Sequence, residues 1–358
     1  MRRIMGIVLA VLLVGGVVAA VVAGRDSGET GTATKTVRMV IGSEKAEFFA
    51  DPDVVKALAA KGYTVEAETS GSWAMEGLDL EGYDLAFPSS RAPAAELAEK
   101  YGVRGMLPRP FYSPLVVVSR RAAAEVLAGN GLAVLDEKDP GTLKMDAYLE
   151  AAGRDRTWQQ LKGAGGHGEL TGTLYISSTD PETSNSGALY LAAASYVANG
   201  GKVVASDADV GRTAPLLRKL VSVQGAQQSS TDAAFRDFVS GAGNPLVLVY
   251  ESQVAALLDE QQNADDLVVL YPDTTVNSDH TVVPLTENGR ELAELLGTER
   301  TLRKLAVRHG FRPQGDVAEF AAAAVGRTAY LKQRLTGVRQ APVPTSAVLH
   351  ELARRARG

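Results

Sequence analysis

The sequence contains no cysteine among its 358 residues. This absence excludes disulfide bonds, thiol catalysis, and zinc or iron–sulfur sites that are held by cysteine. It also excludes a lipid-modified cysteine as a membrane anchor. Charged residues make up only 22% of the chain, and the formal net charge is −5. Because nucleic-acid-binding proteins normally carry a concentrated basic surface, no nucleic-acid partner is expected.

Histidine is also scarce, and the sequence lacks the motifs of the common enzyme classes. The four histidines are far apart and form no metal-binding spacing; they are His167, His280, His309 and His350. No G-x-S-x-G or Walker A motif is present, and no G-x-G-x-x-G follows a predicted strand. The sequence therefore predicts no metal site, no cofactor and no enzymatic activity.

One long apolar run, at residues 4–24, follows Arg2 and Arg3. It is long enough to cross a bilayer, and the two arginines favour a cytoplasmic start. The alternative is a cleaved signal peptide, since small residues lie near the end of the run. The run exceeds the usual apolar region of a signal peptide, which favours a single-pass anchor in the cell membrane. Both interpretations place the bulk of the chain outside the cytoplasm, and cleavage would make it secreted.

Residues 25–35 are rich in Gly, Thr, Asp and Glu and indicate a linker, so the folded part is expected to begin at residue 36. Short apolar segments beyond it alternate with segments of helical periodicity. This alternation is typical of an α/β protein with parallel strands and crossover helices. The predicted strands lie at residues 36–41, 63–68, 83–87, 115–119, 174–177, 246–250, 267–271 and 281–285.

Small hydroxyl and amide side chains follow several of these strands, where the chain enters a helix. Ligands of open α/β sheets bind beyond the carboxyl ends of the strands, where helix N-termini present free N–H groups. The same residue types are common helix caps, but their repetition in both halves favours a site for a small anion or polar solute. The candidate ligand-binding residues are Ser43, Ser70, Ser72, Ser89, Ser90, Thr179, Ser184, Asn185, Ser186 and Tyr250.

The order of these segments resembles the type 2 periplasmic-binding-protein superfamily, nearest to bacterial solute-binding proteins of the molybdate, sulfate and phosphate kind. The matching segments are MVIGSEKAEFF, ETSGSW, YDLAFPSSR, FYSPLVVVS, STDPETSNSGALYLA and PLVLVYESQ. The resemblance implies two α/β lobes with solute bound between them. Residues 36–112 and 272–358 would form lobe I, and residues 113–271 would form lobe II. The hinges would lie near residues 113–114 and 271–281.

The resemblance further implies a receptor for an ABC permease that captures its solute by lobe closure. It does not select the solute. Arg91 and Asp180 are the charged residues that would suit phosphate, whereas neutral donors suit molybdate or sulfate. Glu251 would repel an anion if it faced the site. The alternative is a membrane-anchored sensor or surface interaction protein that uses the same fold without transport.

Overall fold

The computed structural model of the protein describes residues 34–136, 139–259, 264, 266–315 and 317–358. Contacts divide these residues into two units. The first unit contains residues 34–110 and 280–306, and the second contains residues 111–279 and 307–358. The predicted membrane anchor and the linker as far as residue 33 lie outside the described residues. Within the described ranges, no helix is both long and apolar enough to span a bilayer.

Strands and helices alternate along much of the described chain. The strands are β1 (Lys35–Ile41), β2 (Tyr63–Thr69), β3 (Leu85–Phe87), β4 (Phe111–Arg120), β5 (Ala133–Val134), β6 (Gly141–Leu143), β7 (Leu246–Tyr250), β8 (Leu267–Pro272), β9 (Thr274–Thr275), β10 (Asn277–His280), β11 (Val283–Pro284), β12 (Arg312–Pro313) and β13 (Arg339–Gln340). The helices are α1 (Ala46–Ala50), α2 (Pro52–Ala59), α3 (Arg91–Lys100), α4 (Arg121–Gly129), α5 (Met145–Gly153), α6 (Asn185–Ala198), α7 (Asp207–Ser222), α8 (Thr231–Ser240), α9 (Glu251–Asp259), α10 (Glu287–Thr298), α11 (Arg300–Arg308), α12 (Val317–Ala323) and α13 (Ser346–Arg357).

The first unit is built on a four-stranded sheet in the order β11–β3–β1–β2. β1 pairs in parallel with β2 on one side and with β3 on the other, whereas β11 is antiparallel to β3. The chain therefore reverses its winding direction between β1 and β3. In open α/β sheets such a reversal opens a crevice beyond the carboxyl ends of the two strands, which is where ligands bind.

The second unit is organised around the long strand β4. This strand pairs antiparallel with β7, β8 and β12, and β6 runs parallel to β8. The central strands are apolar runs whose residues are nearly all buried, and helices α4, α8 and α9 pack against them. Their inward side chains, among them Val116, Val247, Val249 and Val269, form a core with Phe235 and Phe238 of α8.

The C-terminal segment lies in the second unit, which corrects the assignment of residues 307–358 to lobe I. Helix α13 packs against α7 and α6. Its buried residues Leu349, Leu352, Ala353 and Ala356 recur at helical spacing and supply the apolar stripe for this packing. Residues 272–279 also group with the second unit. The chain passes between the units after residues 110, 279 and 306, at three places rather than the two that the resemblance implied.

The predicted strands at residues 36–41, 63–68, 115–119, 246–250 and 267–271 are confirmed. The bounds of β7 are identical to those predicted, and the largest difference is four residues, at the start of β4. Three other predictions need correction. The strand expected at 83–87 is shorter, and the one at 281–285 is reduced to β11, where Pro284 has no N–H to donate. Residues 174–177 form no strand, since Ser177 joins β7 only through an isolated bridge to Val247.

Candidate functional site

A polar cluster is buried beyond the carboxyl ends of β1 and β3. This first-unit cluster consists of Glu44, Lys45, Ser72, Ser89 and His280. Glu44 and Lys45 lie in a 3₁₀ turn that follows β1, Ser72 lies beyond β2, and Ser89 lies just beyond β3. The Lys45 and His280 side chains are fully buried, and that of Glu44 is 4% exposed. The switch point of the sheet therefore holds ionisable groups that are removed from water.

The Glu44 carboxylate is the common acceptor of this cluster. The Ser89 hydroxyl donates to Glu44 Oε1 over 2.6 Å, and the Lys45 ammonium forms an ion pair with the same oxygen. His280 Nδ1 lies 3.3 Å from that oxygen and 3.1 Å from Lys45 Nζ. A protonated Nδ1 donates to Glu44, and an unprotonated Nδ1 accepts from Lys45. Either tautomer ties the imidazole to the ion pair.

The serines of the cluster are also bonded to each other. The Ser72 hydroxyl donates to Ser89 Oγ over 3.1 Å and accepts the Ser89 backbone N–H over 2.9 Å. Lys45 Nζ donates to Ser89 Oγ over 3.3 Å. Ser89 therefore connects the loop after β2 to the ion pair after β1, and its hydroxyl proton is directed at Glu44.

Burial and pairing oppose each other in the titration of this cluster. Burial alone would raise the pKa of Glu44, but Lys45 and His280 outweigh it and hold that pKa well below its usual range. Burial lowers the pKa of Lys45, and the adjacent Glu44 charge opposes this shift. The ammonium also lies 4.9 Å from the centroid of the Phe87 ring, which favours its charged form. Glu44 is therefore an anion at neutral pH.

Three other predicted residues of the first unit lie in the adjoining loops. Ser43 begins the 3₁₀ turn that carries Glu44. The Ser70 N–H bonds to Ile41 O over 2.9 Å, and its hydroxyl donates to Gly71 O over 3.3 Å. Ser90 is buried and is the residue that precedes α3. The structure brings Ser72 and Ser89 into direct contact and places the other three around them.

In the second unit, a chain of hydroxyl groups surrounds the start of α6. Thr179 Oγ1 and Ser186 Oγ are 2.7 Å apart, and Ser184 Oγ is 3.2 Å from Ser186 Oγ. All three residues are buried. The close approach requires Gly187, because a Cβ at this position would lie only 2.3 Å from Thr179 O. The loop and the helix start are therefore fitted closely to each other.

Asn185 extends this arrangement to two further residues. Its Nδ2 donates to Tyr250 Oη at the end of β7 and to Ser278 Oγ in β10, over 3.1 Å in each case. We call Thr179, Ser184, Asn185, Ser186, Tyr250 and Ser278 the second-unit cluster. It contains no charged side chain. The structure brings together all five predicted residues of this half and adds Ser278, which the sequence analysis did not single out.

Glu251 does not act as a free charge at this site. It is buried and paired with Arg312, whose Nε donates to Oε2 over 2.6 Å and whose Nη2 donates to Oε1 over 2.7 Å. Tyr271 donates to the same carboxylate, and the guanidinium lies 3.8 Å from the Phe320 ring centroid. Burial alone would lower the pKa of Arg312, but Glu251 reverses the direction and raises it. The carboxylate thus fixes the C-terminal segment.

Sequence reasoning missed Glu44 and Lys45. Adjacent residues of opposite charge are usually solvated, so the pair gave no signal of burial. The available signal was its position in the Gly42-Ser43 loop segment that follows a buried strand. Among the described residues, no group of three or more histidines and carboxylates is placed to hold a metal ion.

The sequence matches no protein-family model and no curated protein. Solved structures share its fold. Iron-bound HitA from Pseudomonas aeruginosa has a TM-score of 0.57 at 12% identity and covers 90% of this chain and 99% of its own. A substrate-binding protein of an ABC transporter from Agrobacterium tumefaciens has a TM-score of 0.56 at 14% identity, with 91% and 95% covered. The sulfate-binding protein SubI from Mycobacterium tuberculosis H37Rv scores 0.52 at 16% identity, with 81% and 90% covered.

These structures are type 2 periplasmic substrate-binding proteins, and this chain has their mixed α/β fold. The expected fold class is thereby confirmed, apart from the transmembrane helix, which lies outside the described residues. At sequence identities of 12–16%, the similarity shows a shared fold and does not identify the ligand of this chain.

Proposed function

We propose that this chain is the extracytoplasmic receptor of an ABC-type transporter and that it captures a small polar solute without enzymatic turnover. The observation that carries the proposal is the position of the two clusters. Each lies where strands end and a helical segment begins, and each consists mainly of small polar groups. This is where α/β proteins bind their ligands, and the solved structures of the same fold include a sulfate-binding protein and an iron-bound protein.

The proposed capture mechanism is lobe closure, as the resemblance implied. A solute that bonds to groups of both lobes favours the closed state, because a ligand shifts a population by its differential affinity for the two states. The expected hinges near residues 113–114 and 271–281 and the remaining lobe boundaries stay part of this proposal. The apolar run at residues 4–24 would tether the receptor to the cell membrane, within reach of its permease.

The test is a thermal-shift screen of the full chain in detergent against oxyanions, sugars, polyols, amino acids and polyamines. A ligand that binds only the folded state raises the melting temperature once its concentration far exceeds its Kd. We expect one class of solute to give a saturable shift. If no class does so, the alternative of a sensor or surface interaction protein gains support over transport.

A matched pair of serine variants locates the site once a solute is found. Ser186→Ala removes a hydroxyl of the second-unit cluster, whereas Ser195→Ala removes a buried hydroxyl further along the same helix, which donates to Ala192 O. A lost hydrogen bond of about 1 kcal/mol should weaken binding about fivefold in the first variant. Calorimetry should show unchanged affinity in the second. Equal affinity in both variants would place the site elsewhere.

A further inference from the structure

The donors of the first-unit cluster are already directed at an anion that the protein itself supplies. The hydroxyl of Ser89, the ammonium of Lys45 and the imidazole of His280 converge on Glu44 Oε1. A hydroxyl and a cation beyond the end of a parallel strand are the groups that bind a carboxylate, sulfate or phosphate oxygen. Glu44 thus occupies the position that an external oxyanion would need.

The backbone donors at the same strand ends are also paired within the first unit. The N–H of Gly42 bonds to Phe87 O over 3.2 Å, and the N–H of Ser70 bonds to Ile41 O over 2.9 Å. The N–H of Ser89 bonds to the Ser72 hydroxyl. A bound oxyanion would therefore have to displace existing bonds in addition to facing the Glu44 charge.

The backbone also makes room for this carboxylate. A Cβ on Gly42 would lie 2.6 and 2.7 Å from the two oxygens of Glu44 and 2.4 Å from Ser89 Oγ. Real Cβ atoms do not approach so closely, so the carboxylate packs directly on a backbone without a side chain. The Glu44 carboxylate therefore packs against the backbone of Gly42, and the ion pair with Lys45 and the hydrogen bond from Ser89 hold it there.

We propose that Glu44 is the resident anion of the first-unit cluster and that it excludes oxyanions from this position. The inference rests on the proposed capture of a solute and narrows its class. Two negative charges that share a buried site cannot both remain ionised without a large cost. The solute therefore presents a neutral or cationic polar group to the first unit, such as a hydroxyl, amide or ammonium group.

The test removes the resident anion and offers an external one. Full-length wild type, Glu44→Ala and the control Glu47→Ala are titrated with sodium formate and with sodium sulfate at constant ionic strength. Glu47 is exposed on α1 and belongs to the same short segment. We expect Glu44→Ala to melt at a lower temperature and to recover with formate in a saturable way. Wild type and Glu47→Ala should show no saturable shift.

Two further variants keep the test decisive. Glu44→Ala with Lys45→Met should lose the response to formate, because the cation that attracts the anion is gone. Glu44→Gln preserves the shape if the alanine variant does not fold. It removes the charge that repels an anion, so it should give a saturable shift with sulfate where wild type gives none. Equal responses of wild type and the Glu44 variants to both anions would overturn the proposal.

The outcome separates this inference from the proposed function. If wild type captures an oxyanion with a saturable shift, the receptor function stands and the role of Glu44 is refuted. If wild type captures no solute but Glu44→Ala binds formate, the resident anion stands and the receptor function is refuted.

Discussion

Replacement of Arg312 by methionine should destabilise the second unit by about 3–5 kcal/mol, the usual effect of breaking a buried ion pair. Arg312 is 2% exposed and Glu251 is fully buried, and the two form a bidentate pair. The variant leaves the Glu251 carboxylate buried without its cation. It also removes the donor to Lys332 O and the contact with Phe320.

The assay is urea unfolding followed by tryptophan fluorescence in a Trp73→Phe background. The sequence has two tryptophans, and Trp158 lies in the second unit, 1% exposed. Its fluorescence then reports the unfolding of that unit alone, which matters because two units need not unfold as one transition. The matched control is Arg327→Met, whose partner Asp259 is 37% exposed. Exposed pairs contribute about 0–1 kcal/mol, so the control should unfold near wild type.

A double-mutant cycle tests the reasoning behind this magnitude. Glu251→Gln removes the charge that Arg312 neutralises, so the double variant should be less destabilised than the sum of the two single variants. Additive losses would mean that the two residues act independently. A loss under about 1 kcal/mol in Arg312→Met would show that the pair does not hold the C-terminal segment, in conflict with the typical cost of an unpaired buried charge.

Three other changes probe single contacts. Gly187→Ala should destabilise the protein by about 1–3 kcal/mol in calorimetry, because its Cβ would lie 2.3 Å from Thr179 O; a melting temperature equal to wild type would contradict this fit. Asp51→Ala should cost about 1 kcal/mol in urea unfolding, since Asp51 accepts the Asp53 N–H over 2.7 Å at the start of α2; no change would mean that this cap is unimportant. Burial raises the pKa of Tyr148 to about 12, against about 10 in the unfolded chain. The contribution of Tyr148 to folding stability is therefore complete below about pH 10 and is lost as the pH rises towards 12. Tyr148→Phe should lose less stability than wild type between about pH 9 and 11.5, and an equal fall in the melting temperatures of the two proteins would refute this.

The second-unit cluster could be predicted because most of its members are near neighbours in sequence. The loop before α6 and the first turn of that helix bring Thr179, Ser184 and Ser186 together by local geometry alone. Buried strands such as β7 could also be predicted, since a short run of apolar residues is typical of a strand that is buried on both faces.

The first-unit cluster could not be predicted in full because it depends on contacts between distant parts of the chain. Lys45 and His280 are 235 positions apart, and only the return of the chain beside β3 brings them together. The buried residues of α13 recur at helical spacing, but an apolar stripe does not specify which helices it will cover. Its place in the second unit follows from the surfaces of α6 and α7, which no local pattern encodes.

Each of the two units contains a buried carboxylate that is paired with a buried cation. Each places a carboxylate within three residues of the end of a strand, Glu44 after β1 and Glu251 after β7, and each neutralises it with a cation of the same unit. The paired residues Lys45 and Arg312 are then unavailable for a solute. Under the proposed function, recognition is left to hydroxyl and amide groups, which can both donate and accept hydrogen bonds. Such groups suit a neutral solute with several hydroxyls better than sulfate or molybdate, because an oxyanion accepts hydrogen bonds and offers none.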